Sequence, residues 1–137
     1  MKFYCLLMST YRVTIDPPQF DVETRTKIKA AVKDRTVCDF DSAETAFVGL
    51  LENGDLGDFE RVWLQAQLFK TRSQMGHYQS TLSELSKVLA DLEQKHDFIT
   101  SETVDQNMEF MYYKLSYRKA KLQIKLRLLA DADRTIE

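Results

Sequence analysis

The chain has 137 residues, 44% of them hydrophobic and 29% charged, with Gly at 4 positions and Pro at 2. That length suits one domain, or a small head on a helical stalk, with core enough to fold without disulfide or metal, and so few breakers exclude a turn-rich β fold. A net charge of −2 makes neither nucleic acid nor a membrane surface an obligatory partner, and the 2 cysteines, Cys5 and Cys38, give no disulfide framework and no CxxC pair.

At the N-terminus, Lys2 precedes the apolar run Phe3–Met8. That run falls short of the roughly 7–15 apolar residues of a secretory core, so no signal segment is expected, and Met8 offers an alternative start. Nowhere does an apolar stretch approach the roughly 20 residues of a membrane span. Reduced thiols fit a cytoplasmic protein, or one in host cytoplasm or nucleus if its source is viral. Tyr11–Ile15 alternates and is β-branched, which predicts a short strand ended by Pro17-Pro18.

A first helix is predicted from Val22 to Arg35 with Asp21 as N-cap. Ile28, Ala31 and Val32 form its narrow apolar stripe, while Arg25, Lys29 and Lys33 line another face. Asp41 is expected to cap a second helix, with Glu44 completing a capping box. There Ala43, Ala46, Phe47, Leu50 and Leu51 follow the spacing of a buried face. Asn53-Gly54 stops it, and Leu56-Gly57 makes a second break.

From Asp58, taken as the next N-cap, one long helix is predicted as far as His96, about 58 Å at 1.5 Å per residue. Positions Leu64, Leu68, Thr71, Met75, Tyr78, Leu82, Leu85, Leu89, Leu92 and His96 alternate steps of four and three. All but Thr71 and His96 are apolar, the pattern of a coiled-coil seam. Phe59, Val62, Trp63, Ala66 and Phe69 make the first turns greasy nearly all round. The N-terminal helices are therefore expected around this base, with Trp63 and Phe69 as anchors. Beyond Gly76 only the seam is apolar, as in a stalk.

Asp97–Thr100 is read as a short connection and Ser101 as N-cap of a last helix, Glu102 to about Arg134. A short connection makes antiparallel neighbours, with Leu92 near Gln106, Leu82 near Leu115 and Met75 near Leu122. The facing stripe is Val104, Met108, Met111, Leu115, Leu122, Leu126 and Leu129. The expected architecture is mainly α: a head over residues 1–57 with a strand and two small helices, packed on a long antiparallel hairpin over 58–137. Head and hairpin form one cooperative unit and give a helical bundle on self-association.

The last helix carries a second apolar stripe, Phe110, Tyr113, Tyr117, Ala120, Ile124 and Leu128. One partner helix cannot cover both stripes. Either the N-terminal helices fold over it, or it serves self-association or docking. Charge is segregated as well. From Val37 to Glu60 every charged residue is acidic (Asp39, Asp41, Glu44, Glu52, Asp55, Asp58, Glu60). From Phe110 to Ala130 every one is basic (Lys114, Arg118, Lys119, Lys121, Lys125, Arg127). Lys114, Arg118, Lys121 and Lys125 share one helical face. Such a ridge is a solvated surface, a track for phosphates with Tyr112, Tyr113 or Tyr117 stacking on bases, or a dock for acidic protein such as the acidic block of a second copy.

Catalytic groupings are absent. His77 and His96 lie far apart and away from cysteine. Asp39-x-Asp41-Ser-Ala-Glu44 lacks the glycine and distal glutamate of a calcium loop. No P-loop, GxGxxG, HExxH or GxSxG occurs, nor any signature of an RRM, KH, zinc-finger or homeodomain. No metal or cofactor is called for. The residues point to a non-catalytic helical interaction protein, of adaptor or inhibitor type, that self-associates as a dimer and binds a protein partner. The self-association residues are Phe110, Tyr113, Tyr117, Ile124 and Leu128. Its size suits a viral, phage or bacterial accessory protein. The alternative is a nucleic-acid-binding regulator using Lys114, Arg118, Lys119, Lys121, Lys125 and Arg127 with Tyr113 and Tyr117.

Overall fold

The computed structural model describes residues 15–98 and 105–136, with side chains to 133. Among these are five α-helices and no strand: α1 (Val22–Thr36), α2 (Phe40–Leu51), α3 (Asp58–Gln74), α4 (Tyr78–Lys95) and α5 (Gln106–Ile136). The mainly helical expectation holds. Ile15 lies in no regular element, and the rest of the expected strand, Phe3–Met8, Ser101, Glu102 and Val104 lie outside the described residues.

The first three helices begin close to where their polar residues place them. Asp21 caps α1, its carboxylate accepting from the Thr24 backbone N–H at 2.7 Å. Hydrogen bonding with the Thr24 side chain and backbone holds this carboxyl below its ordinary pKa. The cap of α2 is Asp39, not Asp41: Asp39 Oδ1 accepts from Ser42 N at 3.4 Å. Glu44 is released from the expected capping box and pairs instead with Arg72 of α3, at 3.0 Å. Gly57, not Asp58, caps α3, with Glu60 Oε1 accepting from Gly57 N at 3.3 Å. The end of α2 is closed from α3, where Arg61 donates to the carbonyls of Leu51 and Asn53. Those carbonyls have no partner within their own helix end.

The long helix expected from Asp58 to His96 is two helices. α3 ends at Gln74 with Met75 as C-cap, and Gly76 adopts φ +84°. Gly76 N donates to Ser73 O at 3.1 Å and His77 N to Arg72 O at 3.0 Å. This pair of crossed bonds, with the left-handed residue between them, terminates a helix by satisfying its last carbonyls. Pro17–His77 forms one compact unit, and Tyr78 onward belongs to another. α3 therefore sits with the head, and the division falls after His77 rather than at Gly57.

Gly76 gives this break a test whose sign is diagnostic. A Cβ there meets nothing within 4 Å, so Gly76→Ala bears only the left-handed backbone cost of about 1–2 kcal/mol. Urea denaturation should show a loss of that order. An unbroken helix would respond oppositely, gaining about 1 kcal/mol from alanine.

In the head, Phe20, Ile28, Ala31, Ala43, Phe47, Leu64 and Leu68 form one buried cluster, with Trp63 packed against it. Phe20 and Trp63 rings meet at 5.7 Å, so the expected anchor Trp63 is in place, while Phe69 is buried without being a member of this cluster. Arg35 ties α1 to α3. Its guanidinium donates to Gln67 O at 3.3 Å and Thr71 Oγ at 3.4 Å, and it stands 5.8 Å from the Phe47 ring centre. A buried guanidinium persists because acceptors and a π face replace its water.

In the second unit α4 and α5 are antiparallel. Lys125 lies over the Tyr78 ring at the start of α4, and Tyr112 bonds Glu93 near its end. Leu85, Leu89 and Leu92 of α4, with Met108, Met111, Leu115 and Leu122 of α5, are buried. The register differs from expectation by more than one helical turn. Leu115 follows Tyr112 by three positions and so lies toward the Glu93 end of α4, away from Leu82. Asp105, whose carboxylate accepts from the N–H groups of Asn107 and Met108 at 2.8 and 3.2 Å, opens α5 in place of the expected Ser101.

Candidate functional site

α5 outruns its partner. Lys125 lies over Tyr78, the first residue of α4, while α5 continues to Ile136. At 1.5 Å per residue that is an overhang of about 16 Å. The facing stripe therefore ends at Leu122, which is buried. Leu126 is only half-buried and Leu129 is 47% exposed.

The second stripe divides earlier along the helix, between Tyr113 and Tyr117. Phe110 is buried and Tyr113 is half-buried, its hydroxyl donating to Phe98 O at 3.4 Å. Tyr113 therefore joins the Phe98 and Tyr112 group, and Phe110, being buried, offers little surface to a partner. Tyr117, Ile124 and Leu128 are 62%, 58% and 63% exposed, and Ala120 is exposed too. Large apolar groups in one row on one helix are unusual at a solvated surface.

The aromatic residues at the closed end are occupied with one another. Phe98 stacks on Tyr112 with ring centres 4.3 Å apart and planes 10° apart, and the Tyr112 hydroxyl donates to Glu93 Oε1 at 2.7 Å. Burial and then the Glu93 carboxylate, through its hydrogen bond and charge, push the Tyr112 phenol up to about 12 from 10.0. Because the folded pKa lies above the unfolded one, this contribution to stability is whole below pH 10 and is lost as pH rises toward 12. Urea midpoints measured from pH 9 to 11.5 should therefore fall less steeply for Tyr112→Phe than for wild type. Equal slopes would mean that Tyr112 is solvated.

The basic ridge is present, with its members differently placed. Lys114, Lys121, Lys125 and Arg127 are exposed, while Arg118 and Lys119 are half-buried. Desolvation lowers the pKa of the Arg118 guanidinium, which keeps its charge at neutral pH. Lys121 Nζ lies 5.5 Å from the Tyr117 ring centre, and Lys125 Nζ lies 4.8 Å from that of Tyr78. Lys121 and a base would share the Tyr117 ring, and Tyr112 and Tyr113 are engaged with Phe98, Glu93 and each other.

At 100° per residue, the row Lys114–Arg118–Lys121–Lys125 runs roughly 70° around the helix from the row Tyr117–Ile124–Leu128. The two rows together form one face, apolar along its middle and cationic along one edge. The sequence identified both rows but not the overhang, and it assigned Leu129 to the buried side. Among the described residues no group of acidic, His or Cys side chains could hold a metal ion, and Asp39 and Glu44, the core of the faint calcium pattern, act as a cap and an ion-pair partner. No described helix is long and apolar enough to cross a membrane. Compared with known protein families, characterised proteins and solved structures, the chain shows no match.

Proposed function

We propose that this protein is a non-catalytic interaction module, of adaptor or inhibitor type, that docks onto protein through the outer face of α5. The observation that carries this reading is the row Tyr117, Ile124 and Leu128, each more than half exposed on a helix that extends past its intramolecular partner. Burying such a row is worth about 25 cal/mol per Å² of apolar surface removed from water, and nothing in the hairpin buries it. Lys121 and Lys125 beside it supply charge for orientation and for rate of encounter.

A photo-crosslinking side chain at Ile124, introduced in producing cells, should yield a discrete protein adduct. The same group at Ser83, on the polar surface of α4, should yield none. An adduct of twice the chain mass identifies a second copy, and any other mass a different protein. Ile124→Asp with Leu128→Asp should change stability by less than about 0.5 kcal/mol, since both sites are exposed. Absence of any adduct from Ile124 would remove this reading.

A further inference from the structure

We infer that the occupant of the α5 face is an amphipathic helix of another protein whose edges carry Glu or Asp, rather than a second copy of this chain. This rests on the docking reading above and names the partner's chemistry.

The apolar row from Tyr117 to Leu128 is about 17 Å long at 1.5 Å per residue, the span of roughly three helical turns. A row at steps of seven and four is matched by a helix that presents its own apolar residues at helical spacing. The cationic edge then decides which helices fit. Lys121 and Lys125 hold their charges beside the row, over the rings of Tyr117 and Tyr78. A partner helix lying on the row brings one of its edges against them. Acidic residues there gain the cross-pair attraction, and basic ones meet repulsion.

A second copy fits poorly. Between Phe110 and Ala130 the chain contains no acidic residue. In an antiparallel pair of α5 helices, like edges meet, so Lys121 and Lys125 face the same row of cations. In a parallel pair the opposite edge meets them, and over this stretch it supplies Arg127 and no carboxylate. Nor does another part of the described chain offer a suitable surface. Among the described residues the remaining exposed large apolar side chains besides Leu129 are Val22 and Val37, which are isolated at the two ends of α1. The outer surface of α4, with Ser80, Ser83, Glu84, Lys87 and Asp91 exposed, has acids but no apolar row.

The test uses the full chain and two synthetic peptides of about four helical turns. Both carry Leu at alternating three- and four-residue spacing; one has Glu along its edges and the other Lys. Fluorescence anisotropy should show the Glu-edged peptide binding at least tenfold more tightly than the Lys-edged one, with the difference shrinking as salt rises. Ile124→Asp with Leu128→Asp should abolish binding of both. Lys121→Glu with Lys125→Glu should reverse the preference, provided circular dichroism shows the helices intact. That reversal is a gain of binding, which unfolding cannot imitate.

Equal binding of the two peptides, or binding of neither, overturns the inference. So does a wild-type dimer in light scattering that Ile124→Asp converts to monomer, although that result leaves the docking reading standing. Binding of a single-stranded oligonucleotide that Ile124→Asp with Leu128→Asp leaves unchanged, with neither peptide bound, removes both.

Discussion

Phe47→Ala should destabilise the protein by about 3–5 kcal/mol, the range for deleting a buried aromatic ring and leaving its cavity. Phe47 is fully buried at the centre of the head cluster, where α2 meets Ile28 and Ala31 of α1 and Leu64 and Leu68 of α3. Its ring also faces the Arg35 guanidinium. Truncation therefore removes a π face from a buried charge, which retains its bonds to Gln67 O and Thr71 Oγ. The chain has a single tryptophan, Trp63, and it packs on the same cluster. Its fluorescence during urea denaturation reports the loss directly. A cost below about 1 kcal/mol would mean that the apolar face of α2 is not buried in the head.

Leu85→Ala should cost about 2–5 kcal/mol, because Leu85 is fully buried in the hairpin and its neighbours can close only part of the cavity. Ser83, two residues earlier and exposed, is the matched control. Ser83→Ala should change stability by less than about 0.5 kcal/mol. Denaturation followed by circular dichroism, which detects the helices themselves, distinguishes the two. Small changes at both positions would mean that α4 does not present its Leu85, Leu89 and Leu92 row to α5.

Much of the local structure is legible in the residues. Asp21 capping α1, the apolar spacing of α2 and the row Leu85–Leu89–Leu92 depend on side chains within a few positions of one another, so local rules find them. The misread caps show where those rules stop. Asp39 and Asp41 have the same side chain two positions apart, and Asp41 had Glu44 at the right spacing for a capping box. Arg72 of α3, distant in sequence, takes Glu44 away, and the crossed bonds ending α1, Asp39 N to Asp34 O and Cys38 N to Arg35 O, bring Asp39 into the capping position.

The unbroken seam misled for a related reason. Leu64, Leu68 and Thr71 are buried in α3, and Leu85, Leu89 and Leu92 in α4, so both halves of the seam are genuine. Steps of four and three continue through Met75 and Tyr78 even though the helix ends between them. The signal for the break was Gly76, the residue type that takes a positive φ most readily. A regular pattern outweighed it, although a glycine within a helical pattern always weakens the case for continuity.

The amino-acid sequence by itself determined that the chain is mainly helical, which faces of its helices are apolar, and that positive charge collects along the last helix. These follow from periodicity and composition, which every residue carries wherever it packs. Tertiary structure alone decided which of those faces are used internally. Phe110 and Tyr117 belong to one stripe and share a chemistry, yet Phe110 is buried and Tyr117 is 62% exposed. Which of the two is covered is set by the balance of contacts along whole packed helices. No single position in the sequence records that balance, and it leaves Tyr117, Ile124 and Leu128 uncovered beside a row of lysines.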